Sequence, residues 1–223
     1  MIEIRNIVKK VNKGFENEKV ILNHINFQIQ KGEMVAIMGK SGAGKSTLLK
    51  ILAGLEEYDE GKYYCDGHLI KQMSDKRMAE FRNQNIGIVL QEFALINEFN
   101  IFENVILPME FKKNSRKSEM KQIANDLIDY VGLKGKEKQR VKTLSGGEKQ
   151  RVAIARSLVN NPNIILADEP TGALDTENRE SIMKLFCDVH NKGKTIIIVT
   201  HDKEIASQAD RVLIIKDGII KKE

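Results

Sequence analysis

Residues Met34 to Leu55 read MVAIMGKSGAGKSTLLKILAGL, and three patterns succeed one another without a break. Met34 to Met38 is a continuous apolar run of strand length, Gly39 to Gly44 is rich in glycine, and Lys45 to Leu55 carries the apolar spacing of a helix. Strand, glycine loop and helix in that order open an α/β unit. The loop is Gly39-Lys40-Ser41-Gly42-Ala43-Gly44-Lys45-Ser46-Thr47, which satisfies the G-x-x-x-x-G-K-[ST] pattern in its required context. The spacing has a chemical reason. Glycines let successive backbone N–H groups close around phosphate oxygens, the helix N-terminus adds partial positive charge, and Lys45 neutralises the outer phosphates. Ser46 then offers its hydroxyl to Mg²⁺.

Such a site needs a second element to hold the metal. Ile164-Ile165-Leu166-Ala167-Asp168-Glu169 supplies it as a buried strand ending in two acids. Asp168 is the candidate for Mg²⁺, through water, and Glu169 is the candidate general base that polarises an attacking water. Adjacent acids at a strand end also serve as turn caps, but a phosphate loop elsewhere in the chain favours the chemical reading.

Around these two strands the chain reads as a mostly parallel α/β core. Short apolar strands at Ile86 to Leu90, Ile164 to Ala167, Thr195 to Val199 and Arg211 to Ile215 alternate with helices at 75–83, 177–191 and 202–208, the pattern of a sheet covered on both faces. Residues 3–8 and 20–29 alternate apolar and polar, and Tyr63 to Ile70 carries an Asp-Gly turn, so these form an antiparallel layer. From Glu92 to Asn161 the only regular patterns are helical, at 102–110, 116–131 and 145–160. The expected organisation is a single domain, 1–223. Residues 1–91 and 162–223 form the core with its antiparallel layer, and 92–161 form an inserted helical subdomain.

Composition removes several classes. At 41% hydrophobic and 30% charged residues, the 223-residue chain has a globular balance. No apolar run approaches the roughly 20 residues of a membrane-spanning helix, and the N-terminal MIEIRNIVKK lacks a signal peptide's apolar core, so a cytosolic chain is expected. Cys65 and Cys187 have neither paired-thiol nor metal-ligand spacing. The net charge of +5 is dispersed. Lys112-Lys113, Arg116-Lys117 and the Lys134 to Arg140 cluster alternate with Glu119, Asp126, Asp129 and Glu137 as on a solvated face, and no nucleic-acid partner is expected.

ATPases, GTPases and kinases share the features above. The discriminating stretch is Leu144-Ser145-Gly146-Gly147-Glu148-Lys149-Gln150. Ser145 and Glu148 form an S-x-x-E capping box, and Gly146 and Gly147 bare the first-turn N–H groups of the helix, which makes a second anion-binding end far in sequence from the first.

With this stretch in place the whole chain resembles the nucleotide-binding domains of ATP-binding cassette (ABC) proteins. The resemblance implies that Ser145, Gly146, Gly147 and Glu148 bind the γ-phosphate of an ATP held by the other protomer. The chain would then work as a homodimer formed on ATP binding, with ATP and Mg²⁺ as cofactors. It also implies roles for Gln91 as the glutamine that reaches Mg²⁺ and senses the permease, Asp175 in Ala173-Leu174-Asp175 as the D-loop, and His201 as the switch histidine that contacts the γ-phosphate.

Two departures stand out. The family's signature usually reads LSGGQ, and here Glu148 replaces the glutamine, with a small electrostatic cost expected near phosphate. The aromatic that normally stacks on adenine is replaced by Val11 near its usual place, with Phe15 nearby in the following loop, and the choice between the two stays open. Asp168-Glu169-Pro170-Thr171-Gly172-Ala173-Leu174-Asp175 and Asn104-Val105-Ile106-Leu107-Pro108-Met109 resemble the bacterial branch containing macrolide-export, lipoprotein-release, cell-division and bacitracin-type resistance ATPases.

That branch implies an integral membrane permease with four transmembrane helices and an extracytoplasmic domain, holding this chain at the inner face of the membrane. The output is export of drug, peptide or lipoprotein, or regulation of a cell-division-type membrane partner without transport. The permease is expected to meet the surface from Gln91 to Phe102, where at least half of Phe93, Leu95, Phe99 and Phe102 are expected to pack inward instead.

Overall fold

The computed structural model describes residues 1–112 and 116–221, so Lys113 of the Lys112-Lys113 cluster lies outside the described residues. The elements run β1 (Ile2–Val11), β2 (Lys19–Ile29), β3 (Met34–Met38), α1 (Lys45–Leu52), β4 (Glu60–Cys65), β5 (His68–Leu69), α2 (Asp75–Asn85), β6 (Ile86–Val89), α3 (Ile101–Glu110), α4 (Lys117–Tyr130), α5 (Gly146–Leu158), β7 (Ile164–Asp168), α6 (Thr176–Asn191), β8 (Thr195–Val199), α7 (Lys203–Ala206), β9 (Arg211–Lys216) and β10 (Ile219–Lys221).

Two sheets form. The first has the order β2-β1-β4-β5 and is antiparallel throughout. The second has the order β10-β9-β3-β8-β7-β6, parallel except for the β9–β10 hairpin at Asp217-Gly218. Alternate residues of its central strands enter different cores. Ile165, Ala167, Ile196 and Ile198 join the apolar cluster shared with α3 to α6, whereas Ile164, Leu166, Ile197 and Val199 join the cluster shared with α1 and the antiparallel sheet. This two-sided burial explains why those strands read as unbroken apolar runs rather than alternating ones. Helix α1 is thereby wedged between the two sheets, its Leu48, Leu49, Ile51 and Leu52 all buried.

Expected and observed elements differ at two helix ends, each for a local reason. The helix expected over 45–55 stops at Leu52, because Gly54 takes φ 62° and the N–H groups of Gly54 and Leu55 turn back to the carbonyls of Ile51 and Lys50. The helix expected over 202–208 keeps α geometry only from Lys203 to Ala206. Beyond that point Gln208 and Ala209 donate three residues back, to Ile205 and Ala206, which tightens the chain. Both cysteines are free, and burial pushes the Cys65 thiol up to about 11. Among the described residues no helix is long and apolar enough to cross a membrane.

Candidate functional site

Parallel strands deliver their following loops to one edge of the sheet. Here β3, β8, β7 and β6 are neighbours, so the glycine loop, Thr200-His201, Asp168-Glu169 and Leu90-Gln91 all emerge along that edge.

The glycine loop is fixed by steric contact on two sides. A Cβ on Gly39 would lie 2.3 Å from the Ile215 carbonyl oxygen of β9, and one on Gly44 would lie 2.7 Å from Leu22 Cδ2 and 2.9 Å from the Ile21 carbonyl oxygen of β2. Gly44 also has φ 99°, where only glycine is at ease. Gly44 is the N-cap of α1 and gives that helix no side-chain cap, so the first-turn N–H groups have no side-chain partner. Lys45 folds back over the loop, its Nζ donating to the Gly39 and Lys40 carbonyls at 2.8 and 3.2 Å. Those are bonds a phosphate would take over.

Ser46 Oγ donates to Asp168 Oδ1 at 3.3 Å, which brings together two residues 122 apart in sequence. Burial pushes the Asp168 carboxyl up from its ordinary value, opposed by the Ser46 bond and reinforced by the adjacent Glu169 charge. An oxygen pair of this kind, half buried and carrying unfavourable negative charge, suits a hard divalent cation. Among the described residues no cluster of three or more His, Cys, Asp or Glu exists that could hold a metal by itself, so such a cation would also need water or phosphate oxygens.

Glu169 has φ 44°, a left-handed conformation uncommon for a side chain of this length, and the strain redirects the carboxylate away from the line of β7. Its N–H donates to the Val199 carbonyl at 2.9 Å. Its Oε2 accepts from Thr200 Oγ1 at 3.4 Å, and its Oε1 lies 2.8 Å from His201 Nδ1. The Glu169 side chain is 14% exposed and that of His201 73%. A sheltered carboxylate oriented by an exposed imidazole is a general-base arrangement.

The second anion-binding end forms as its capping pattern predicts. Ser145 Oγ accepts from the Glu148 N–H, and Glu148 Oε2 accepts from the Ser145 N–H at 2.9 Å. Gly146 is exposed, and Gly147 is buried because its Cα packs on α6: a Cβ there would lie 2.4 Å from Asn178 Oδ1. Asn178 in turn binds Asp175, whose side chain caps α6 by accepting from the Asn178 N–H at 2.9 Å, which holds the Asp175 carboxyl below its usual value. The LSGG helix and the loop at Ala173 to Asp175 are therefore in contact within one chain.

Gln91 is exposed, and the loop after it is anchored from two helices. Asn104 of α3, fully buried, binds both the N–H and the carbonyl of Ile96. Arg156 of α5 donates to the carbonyls of Phe93 and Ala94, both residues of positive φ. Phe93, Leu95 and Phe102 pack against the helical core, which meets the expectation that half or more would. Val11 is half-buried at the end of β1, and Phe15 stands 73% exposed on the β1–β2 loop.

A scan of known families matches residues 22–172 to the ABC transporter domain. The chain belongs to the ABC transporter family. It is 48% identical over 218 residues to an uncharacterized ABC transporter ATP-binding protein, YvrO, of Bacillus subtilis, a match covering 98% of this chain and 94% of that one. It is 44% identical to the macrolide export ATP-binding/permease protein MacB of Chlorobaculum tepidum, covering 99% of this chain but 33% of that longer one. Among solved structures, the dimeric post-hydrolysis state of the cassette MJ0796 bound to ADP and Pi superposes with TM-score 0.92 at 38% identity, covering 100% of this chain and 97% of that one. The cassette is an ATPase with the expected α/β ABC fold.

Several of the residues that shape the site carry no motif. Thr200 beside Glu169, Asn178 beneath Gly147, and the two loop anchors Asn104 and Arg156 are ordinary residues in sequence, placed only by tertiary contact.

Proposed function

We propose that this cassette closes on a second copy of itself around two ATP molecules, and that closure drives a separate export permease. In this reading Gly39 to Thr47 hold the triphosphate of one ATP, with Lys45 leaving its own loop carbonyls for the phosphates. Ser46 and Asp168 hold Mg²⁺, with Gln91 approaching from the neighbouring strand, and the ion supplies charge neutralisation at the phosphate oxygens. Ser145 to Gly147 of one chain meet the γ-phosphate bound by the other, and Asp175 lies beside them at the same face. Glu169 accepts the proton of the attacking water, while His201 holds that carboxylate and contacts the γ-phosphate. Phe15 covers the adenine, its exposure on the β1–β2 loop favouring it over Val11.

The membrane partner is supported by one feature above others. A groove of about 840 Å³ lies between α2, β6 and the ends of α3 and α5, lined by Leu90, Pro108 and Arg156 and by two exposed apolar side chains, Leu55 at 52% and Phe111 at 75%. Its lining also carries Lys76, Arg82 and Lys112, a mixed surface that suits an amphipathic partner helix, and β6 leads from it directly into Gln91. A segment of the permease seated there is placed to move Gln91. In this reading the permease docks in the groove beside the Gln91 loop. The cassette then sits at the inner face of the membrane, with a four-helix permease bearing an extracytoplasmic domain and a drug, peptide or lipoprotein as its cargo.

The test is affinity purification of tagged Glu169→Gln protein from its source cells in detergent with ATP and Mg²⁺. Co-purification of a four-helix membrane protein with a large external domain is the expected result. Recovery of soluble nucleic-acid proteins with no membrane partner would overturn the permease reading, and a division-type partner lacking any cargo would replace export with regulation.

A further inference from the structure

The signature helix carries a carboxylate where it must receive phosphate. Glu148 is the third residue of α5, within the first turn, where helix N–H groups and partial positive charge attract anions. An unpaired glutamate there competes with and repels the incoming γ-phosphate. Here both carboxylate oxygens are engaged: Oε2 accepts from the Ser145 N–H, and Oε1 lies 2.6 Å from Lys136 Nζ. The Lys136 ammonium and the Ser145 N–H hold the Glu148 carboxyl below its ordinary value.

Lys136 does not reach this position from a loose loop. The segment between α4 and α5 is internally bonded, Lys136 N–H to the Leu133 carbonyl and Gln139 N–H to the Lys136 carbonyl. It is also tied to the start of α3 by bonds from Ile101 and Phe102 to the Gln139 and Glu137 carbonyls. The Lys136 side chain is 47% exposed and that of Glu148 24%. At such exposure an ion pair contributes little to folding.

We propose that Lys136 is a positioning residue of the second ATP site, cancelling the charge of Glu148 so that a helix beginning LSGGE accepts the partner-bound phosphate as one beginning LSGGQ does. The inference rests on the paired-site reading above. Lys136 acts through Glu148 and makes no contact of its own with ATP. The pair also explains a lysine that otherwise reads as one of the scattered surface charges between 134 and 140.

The experiment measures turnover against ATP concentration for wild type, Lys136→Met and Lys136→Met/Glu148→Gln, with nucleotide affinity of the monomer and melting temperature followed in parallel. Removing Lys136 is expected to raise the half-saturating ATP concentration about fivefold, as one partly screened charge at close range would. Monomer affinity and melting should stay unchanged, and the double variant should return to wild-type behaviour. An unchanged half-saturation in Lys136→Met overturns the proposal. So does a double variant as weak as the single, which would give Lys136 a direct contact with phosphate, or an equal loss in monomer affinity. Ser145→Arg, assayed alongside, separates the two levels: wild-type turnover in that protein removes the paired site itself, whatever Lys136 does.

Discussion

The two anion-binding helix ends of this chain are built in opposite ways. Helix α1 starts at a glycine with no side-chain cap, and its loop is clamped by strands of both sheets, through Ile215 on one side and Ile21 and Leu22 on the other. Its first-turn donors are left for a ligand, and a lysine stands over them. Helix α5 starts with a reciprocal capping box, has its first-turn Glu148 paired with Lys136 from the preceding segment, and turns an exposed Gly146 outward. The first end pays a standing cost in unsatisfied donors and binds strongly by itself. The second is partly satisfied by its own capping box, which engages the Ser145 and Glu148 N–H groups and leaves those of Gly146 and Gly147 outside it. On the proposed function, the asymmetry would have one chain load ATP before closure.

Breaking the first end has the larger effect. Lys45→Ala removes the ammonium that folds back over the loop and is expected to lower ATP turnover by more than about a thousandfold, measured as phosphate release, because charge developing on the phosphates loses its preorganised partner. Glu169→Gln leaves both helix ends intact and removes the base. Turnover is expected to fall about a hundredfold or more, while ATP binding persists and a nucleotide-loaded dimer accumulates on size exclusion. Normal turnover in that variant would take Glu169 out of the base role.

The second end is tested by two substitutions at one residue. Ser145→Arg places a long side chain on the face that meets the partner's nucleotide; turnover is expected to drop at least about tenfold through lost closure, with monomer ATP affinity retained, since charged bulk at a packed interface is poorly tolerated. Ser145→Ala removes only the cap. It should cost about 1 kcal/mol of stability by thermal or denaturant unfolding, a penalty with no counterpart at α1, where there is no side-chain cap to lose.

Much of this contrast is legible in sequence, and the remainder has an identifiable cause. The strand–loop–helix at 34–55 and the S-x-x-E at 145–148 depend on contacts within a few residues, and both form where the pattern places them. The left-handed turn at Glu169, the His201 contact and the Thr200 bond depend on β7 and β8 being neighbours, and no local pattern encodes that. Lys136 was hidden for a related reason: in a run of alternating charges, composition describes a solvated face, while the fold selects one lysine and sets it against the N-terminus of the helix that follows. The groove beside β6 carries no motif either: Asn104 and Arg156 draw the segment after Gln91 inward, and Leu55 and Phe111 are left as exposed apolar side chains by tertiary packing alone.

The smallest effect sharpens what α1's end alone supplies. If the glycine loop and Lys45 provide most of the grip, the base contributes little, and the weak aromatic provision of this chain fits that division. Phe15 is held on a turn in which its N–H donates to the Asn12 carbonyl and its own carbonyl accepts from Glu18, so the ring is presented to solvent on an ordered loop. A well-packed base on an aromatic ring is worth about 1–3 kcal/mol, and an exposed ring realises only part of it. Phe15→Ala is therefore expected to weaken ATP binding by about threefold in a fluorescence titration with labelled nucleotide. Loss of affinity in Val11→Ala with none in Phe15→Ala would move the base onto β1 and make its contact aliphatic. Selectivity would then have to come from the edge of the adenine rather than its face.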